Sequence, residues 1–176
     1  MDQAMEQQMR EVLAKERFGV LATLFSGRLH TATIHFAETD DLELVHAIRR
    51  GTLKAEQAAA NPRVAFQIDN RGILMESRDR FTRISFEGTL HQVSELHPEY
   101  ESYRRTFADK FPVGDRLLAH PEIDLFVLRP VVIRLAIGAA TAEDITVTYE
   151  VEDAPRSEDG SVWRGYSDDS GVRSDP

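Results

Sequence analysis

The sequence contains no cysteine, which excludes disulfide bonds, thiolate metal sites and cysteine nucleophiles. No apolar run reaches the roughly 18 residues of a transmembrane helix, and the polar N-terminal segment has no signal-peptide core. Positive charge is scarce, because the formal net charge is −9 and lysine occurs only at Lys15, Lys54 and Lys110. These absences predict a cytoplasmic protein that binds neither a membrane nor nucleic acid.

A length of 176 residues and a hydrophobic content of 41% predict one globular domain with a substantial core. The composition changes near residue 150, after which aspartate, glutamate, serine and glycine dominate. The chain is therefore divided into a domain at 1–150 and an acidic tail at 151–176. The tail is expected to be partly disordered, with Trp163 and Tyr166 as its only large anchors.

Hydrophobic periodicity predicts helices that alternate with strands of period two. The predicted helices lie at 2–16, 52–61 and 97–111, and the predicted strands at 18–25, 29–37, 42–48, 63–69, 83–93 and 122–137. Since no strand–helix–strand rhythm repeats, we expect a mainly β, α+β fold in which antiparallel strands form a small barrel with peripheral helices.

Three features of the strands carry specific expectations. The strand at 18–25 is almost continuously apolar, so both of its faces are expected to be covered. Gly88 interrupts a long alternating strand and predicts a bulge or a close backbone contact. Pro130 predicts a bend, a bulge or an edge position in the last long strand, because proline cannot donate to the ladder.

Three cationic side chains lie between the end of the strand near Ile48 and the first turn of the second helix. Thr52 is a good N-cap whose hydroxyl can satisfy an N–H group of the first turn, and Asn61-Pro62 ends the helix. Lys54 lies in the first turn, just after Arg49 and Arg50, although the helix dipole there favours anions. A bound phosphate would compensate these charges; the alternative is that they are surface residues in ordinary ion pairs.

The segment from Phe18 to Phe66 resembles the split-barrel flavoproteins related to pyridoxamine 5′-phosphate oxidase. The resemblance rests on the order and spacing of four short motifs within 12–137. These are Leu21-Ala22-Thr23, Gly27-Arg28-Leu29, Thr52-Leu53-Lys54 and Asn61-Pro62-Arg63-Val64. It implies a six-stranded split barrel that binds FMN between the two subunits of a homodimer.

The resemblance also implies which residues bind the cofactor. The residues that bind the FMN phosphate in this family correspond to Thr52 and Lys54. The polar residue that reaches the flavin corresponds to Arg83. The resemblance places the flavin ring along two strand segments. These comprise His30, Thr31, Ala32 and Thr33, and His46, Ala47 and Ile48. The implied function is FMN-dependent redox chemistry on a small organic substrate, and no spacing in the sequence identifies a catalytic acid or base.

Departures from the family pattern leave more than one function open. Leu29 replaces the usual proline of the turn, and Ala32 stands where the true oxidases carry a phosphate-binding arginine, so oxidation of vitamin B6 is not expected. The chain around Arg83 to Gly88 also resembles haem-utilisation proteins with the same barrel. Such proteins require an iron-ligating histidine, and the strand candidates are His30, His35, His46 and His91. A deazaflavin cofactor, or the binding of a cofactor without catalysis, would fit the same pattern.

Overall fold

The computed structural model describes residues 3–73, 76–138 and 145–150, the last of these as backbone only, and the predicted tail at 151–176 lies outside the described residues. The helices are α1 (Gln3–Lys15), α2 (Leu53–Ala60), α3 (Tyr100–Lys110) and α4 (Gly114–Leu118). The strands are β1 (Phe18–Phe25), β2 (Arg28–His35), β3 (Ala37–Glu38), β4 (Leu44–Arg49), β5 (Arg63–Asp69), β6 (Thr82–Val93), β7 (Ile123–Ile137) and β8 (Ile145–Glu150). Two single 3₁₀ turns lie between β5 and β6.

The strands form one antiparallel sheet that curls into a split barrel. Its order is β2-β1-β5-β6-β7-β4-β3. The strand β8 pairs with the C-terminal half of β7, from Val132 to Ile137. The antiparallel barrel is confirmed, but the prediction of six strands is wrong. The two-residue β3 and the separate β8 were not predicted, and the short α4 adds a fourth helix.

Two apolar clusters hold the elements together. The main cluster fills the barrel with side chains such as Phe66 and Phe86, and α1 closes one side of it with Met9 and Leu13. The second cluster lies on the other face of β4, where α3 packs. Its aromatic members Tyr103 and Phe107 are the buried part of the predicted apolar edge of this helix.

The long strands β6 and β7 bend around a β-bulge. The register shifts between Glu87 and Gly88, and Gly88 lies opposite Pro130. A Cβ atom at Gly88 would collide with the Arg129 carbonyl oxygen, so this position requires glycine. The predictions for Gly88 and Pro130 are therefore confirmed, and the bulge lets the ladder pass a residue that has no N–H group.

The outward side of β1 is only partly covered. Gly19, Leu21 and Thr23 point into the barrel and are buried, but Phe18 is 51% exposed and Leu24 is 42% exposed. The expectation that both faces of this strand are covered is therefore wrong for the described part of one chain. A run of apolar residues also occurs when the second face is an interaction surface.

No helix in the described residues is long and apolar enough to cross a bilayer.

Candidate functional site

The connection between β4 and α2 places a helix N-terminus at the surface. Thr52 precedes the helix in an extended conformation, and its carbonyl oxygen accepts the first helical hydrogen bond, from Glu56 N, at 3.0 Å. The predicted cap is wrong, because the Thr52 hydroxyl donates to the Arg49 carbonyl oxygen at 2.7 Å and bonds to no N–H group of the helix. The first-turn N–H groups of α2 thus receive no side-chain cap from Thr52.

The three cations at this helix start differ in their surroundings. Arg49 pairs with Glu122 at 2.7 Å, and Arg50 forms a two-pronged pair with Asp124 at 2.6–2.8 Å. Both arginines are exposed, so these pairs contribute little to stability. The Lys54 side chain is half-buried, and no hydrogen bond or ion pair joins its ammonium group to a described residue. One cation of the three thus lacks a carboxylate partner within the described chain, and it lies in the helix turn that favours anions.

A buried polar contact fixes α2 on the barrel wall. The Thr23 hydroxyl of β1 donates to Gln57 Oε1 at 2.6 Å, and Gln57 Nε2 donates to the Arg28 carbonyl oxygen at 3.2 Å. Thr23 and Gln57 are both almost fully buried. Their hydrogen bonds determine how α2 lies over the β1–β2 hairpin, and therefore where Lys54 is held.

Replacing Gln57 with alanine is expected to destabilise the fold by about 1–3 kcal/mol, because the buried Thr23 hydroxyl loses its short hydrogen bond and keeps only the His30 carbonyl oxygen at 3.5 Å. Urea unfolding measures the loss. Gln67→Ala, at an exposed position of β5, is the matched control and should change stability by less than about 0.5 kcal/mol. Equal stabilities for the two variants would show that the buried contact does not hold α2 in place.

The four candidate residues on β2 do not share one face. Thr31 and Thr33 are exposed on the outer side of the sheet, opposite Ala22 and Val20 of β1. Their neighbours His30 and Ala32 point to the barrel side and are half-buried. The predicted alternation is confirmed, and it implies that a planar ring on one side of β2 meets only one of the two pairs of side chains.

The candidate residues on β4 are largely enclosed. His46 and Ile48 point into the barrel core with 0% and 1% exposure, and Ala47 packs against the second apolar cluster. His46 Nδ1 donates to the His35 carbonyl oxygen at 2.8 Å, a bond that bridges from β4 to the edge strand β2. Burial lowers the pKa of His46 to about 4. Its side chain is thus a neutral core group that a surface ligand does not reach.

Arg83 lies far from the helix start. It begins β6 opposite Ala136 of β7, packs its guanidinium over the Phe81 ring and donates to the Gly138 carbonyl oxygen. Arg49, which precedes α2, lies opposite Ile123 at the other end of β7. These two positions on β7 are separated by about 40 Å of strand. The structure therefore does not bring Arg83 together with Lys54 within one chain.

The space beside the helix start is a partly polar cleft. It has a volume of about 510 Å³ and lies between α2 and the ends of β6 and β7, with Arg50, His91 and Asp124 in its wall. Burial, and secondarily Arg129, lowers the pKa of His91. Among the described residues there is no group of three or more histidine, aspartate or glutamate side chains that could hold a metal ion. The cationic helix start can attract an anion, but neither Lys54 nor Thr52 lines this cleft, whose wall contains the carboxylates of Glu56 and Asp124.

Comparison with known proteins gives a family match. The model of the pyridoxamine 5′-phosphate oxidase family matches residues 5–137, which is about three quarters of the chain. No curated protein sequence matches. The matched residues run from α1 to the end of β7, so they include every candidate cofactor residue.

Solved structures share the fold at low sequence identity. A haem-binding protein from Mycobacterium smegmatis superposes with a TM-score of 0.70 at 16% identity, over 84% of this chain and 59% of its own length. This chain therefore spans little more than half of that relative. HutZ, the haem storage protein of Vibrio cholerae, gives 0.62 at 18% identity over 72% of this chain and 89% of its own. An FAD-binding protein from Mesorhizobium loti gives 0.59 at 20% identity over 74% and 90%.

Proposed function

Because this chain belongs to the pyridoxamine 5′-phosphate oxidase family, we propose that it binds FMN and acts as an oxidoreductase on a small organic substrate. Bound FMN would supply the hydride or electron transfer. The protein would supply the phosphate site, the walls around the ring and the exclusion of water. No described side chain is assigned as an acid or base.

The observation that carries this proposal is the state of Lys54. Its ammonium group makes no ion pair with the described residues, whereas Arg49 and Arg50 beside it are both paired with carboxylates. The N–H groups of the first α2 turn receive no cap from Thr52. A phosphate would satisfy the lysine and the N–H groups at once. To donate to a phosphate oxygen, the Thr52 hydroxyl would have to give up its hydrogen bond to the Arg49 carbonyl oxygen.

The residues of β2 argue against pyridoxamine phosphate as the substrate. Ala32 has only a methyl group on the barrel side of β2, where the true oxidases of the family carry an arginine. The phosphate site thus depends on Lys54 more heavily than a site with two cations does. A deazaflavin with its own phosphate group would use the same lysine and is a variant of this proposal.

A second copy of the chain would complete the site. Lys54 and Arg83 lie toward opposite ends of β7 within one chain, and both are proposed to contact one cofactor. A two-fold interface can place the Arg83 end of one protomer against the Lys54 end of its partner, because residue i of one chain then contacts residue j of the other and the reverse. The exposed Phe18 lies at the Arg83 end of the sheet, because β1 pairs with β5 and Asp69 at the end of β5 lies opposite Arg83. The contact between the two protomers would therefore also cover Phe18. We therefore propose a homodimer with the cofactor at the subunit interface.

The dimer has a simple expected result. Light scattering at micromolar concentration with FMN bound should give twice the 19.9 kDa mass of the chain. Phe18→Lys should shift the mass toward the monomer, because it places a charge in the proposed interface. Leu96→Lys, at a loop position that is 94% exposed, is the control and should leave the dimer intact. A monomeric wild type with FMN bound would contradict the shared site.

Haem binding is the second candidate function. The observation in its favour is that two similar structures are a haem-binding and a haem storage protein. Among the strand histidines, His46 is sealed in the core, and the His35 ring lies between Phe18 and Phe111. His30, which is half-buried, and His91, which is exposed, lie outside these ring contacts among the described residues.

Parallel titrations with FMN and haemin test the two functions. We expect FMN to bind with one site per chain, seen as quenching of its fluorescence, and we expect no stoichiometric Soret band with haemin. A tight one-to-one haemin titration that is lost in His30→Ala or His91→Ala would overturn the flavin proposal in favour of haem.

A further inference from the structure

A second concave surface lies on the outer face of the sheet, at the end where β1 turns into β2. It is a cavity of about 340 Å³ that extends across β1, β2, β5, β6 and β7. Leu24, Leu29, Ala65 and Val132 line it, and Leu29 is 73% exposed. An exposed apolar cavity on the face of a sheet is typical of a surface that packs against another protein element.

The opposite end of the same face carries a projecting aromatic side chain. Phe18 begins β1, six residues before Leu24, so the two residues lie about 20 Å apart along the strand. Six large apolar side chains are exposed among the described residues, and four of them belong to β1 or β2: Phe18, Leu24, Phe25 and Leu29. The exposed apolar surface is thus concentrated on one hairpin, with a projection at one end and a concavity at the other.

The middle of the outer face, between these two ends, carries no charged side chain on the described strands β1, β2 and β5. Its residues are small or neutral and at least partly exposed, although 29% of the chain is charged. They are Val20, Ala22, Thr31, Thr33, Ala65 and Gln67. The core of a protein–protein interface is depleted in charged residues, and two sheets pack about 10 Å apart. This part of the face therefore has the composition of an interface between two sheets.

A two-fold axis would relate the two ends of this face. The homodimer proposed above places the Arg83 end of one protomer, where Phe18 lies, against the Lys54 end of its partner. The cavity lies at the Lys54 end, because its wall includes Asn61, which ends α2 and donates to the Leu24 carbonyl oxygen at 2.8 Å. An axis that exchanges the two ends crosses β1 midway between Phe18 and Leu24. It therefore brings the partner's Phe18 over the cavity.

We propose that the Phe18 side chain of each protomer inserts into the cavity bounded by Leu24, Leu29, Ala65 and Val132 on its partner. The two insertions are equivalent, because both follow from one two-fold axis. This inference rests on the homodimer of the proposed function, and it adds which side chain fills which cavity. It does not depend on the identity of the cofactor, since none of these five residues is among those proposed to bind it.

Cysteine pairs test the contact directly, because the natural chain contains no cysteine. The double variant Phe18→Cys/Leu29→Cys should be cross-linked into a dimer by a short bismaleimide, and neither single variant should be. In the proposed arrangement, each of these residues lies about 20 Å from its own symmetry copy, and the two lie equally far apart within one chain. Phe18→Cys/Leu96→Cys, with the second cysteine at an exposed loop position, is the control and should not be cross-linked.

A matched pair of truncations measures what the contact contributes to the dimer. Phe18→Ala should raise the dissociation constant of the dimer at least about tenfold, because it removes an aromatic anchor from its pocket. Phe25→Ala removes the same side chain at the other end of β1, where the exposure is 47% against 51% for Phe18, but Phe25 does not line the cavity. It should change the dissociation constant by less than about twofold. Sedimentation equilibrium measures both constants.

The outcomes separate this contact from the proposed function. A dimer that binds FMN but gives no cross-link in Phe18→Cys/Leu29→Cys would overturn the insertion and leave the flavin proposal standing. Equal dissociation constants for Phe18→Ala and Phe25→Ala would do the same. A cross-linked dimer that does not bind FMN would support the insertion and contradict the flavin proposal. A cross-link in Phe18→Cys alone would place the two Phe18 side chains together at the axis, and the insertion would be wrong.

Discussion

Lys54→Ala is expected to weaken FMN binding about ten- to a hundredfold, because a charge-assisted hydrogen bond to phosphate contributes roughly 1.5–3 kcal/mol. Lys54 makes no ion pair with the described residues, so its removal leaves no carboxylate of this site unpaired. The loss in affinity therefore reports the contact with the ligand. FMN fluorescence quenching measures both affinities.

The neighbouring cations supply the controls. Arg49→Ala removes a charge only a few residues away, but Arg49 is paired with Glu122 at the surface, and we expect FMN affinity to change by less than about twofold. Thr52→Ala should cost less than Lys54→Ala, since it removes one neutral hydrogen bond. Riboflavin, which lacks the phosphate, should bind weakly and equally to wild type and Lys54→Ala. Equal FMN affinity for those two proteins would remove Lys54 from the site.

Acid is expected to destabilise the protein through His46. The imidazole is fully buried, its Nδ1 proton is held by the His35 carbonyl oxygen, and Nε2 has no hydrogen-bond partner among the described residues. Burial lowers its pKa to about 4, whereas the unfolded chain has the ordinary value of 6.5. Below pH 6.5 the unfolded chain binds a proton that the folded chain does not. Stability therefore falls from pH 6.5 to about 4 and then levels off for this group, with a total loss of about 3 kcal/mol.

His46→Asn separates this histidine from the other groups that titrate in acid. Asparagine keeps a donor near the His35 carbonyl oxygen and cannot become charged, so the slope of unfolding free energy against pH between 6.5 and 4 should become shallower. Burial also lowers the pKa of His35, which adds a smaller dependence of the same sign. His30→Asn, at a half-exposed position, is the control. The same slope in wild type and His46→Asn would contradict the account of a buried neutral imidazole.

Much of the fold could be predicted because local patterns determine it. The strand β1 has the predicted bounds at Phe18–Phe25, and Gly88 marks the bulge, since period-two alternation and a glycine are both local signals. Two of the missed elements lack such signals. The strand β3 has two residues and α4 has five, and both are too short to show a period. The strand β8 carries alternating threonine and valine in ITVTYE, a pattern that would have revealed it.

The candidate site could be predicted only in part. The sequence places cations before α2, but it does not indicate that Glu122 and Asp124, seventy residues later, pair with two of them. The antiparallel pairing of β4 with β7 creates those contacts. The Thr52 hydroxyl had two possible partners close in sequence, and only the backbone geometry selects the Arg49 carbonyl oxygen. Gln57 is buried because α2 packs on Thr23, and its only signal was a glutamine in an alanine-rich helix.

The distance between Arg83 and Lys54 is a property of the topology. Both positions follow from family motifs, but only the registers of β6 and β4 on β7 place them at opposite ends of that strand. A site assembled from both of them therefore needs two chains, and this requirement does not appear in any local pattern.

The visible absorption spectrum of the protein tests the central proposal most directly. The protein is incubated with excess FMN, passed over a desalting column and measured before and after reduction with dithionite. The account predicts the two bands of oxidised flavin at one cofactor per chain, and it predicts that they bleach on reduction. A colourless protein, or a protein that shows a strong Soret band as purified, would contradict it.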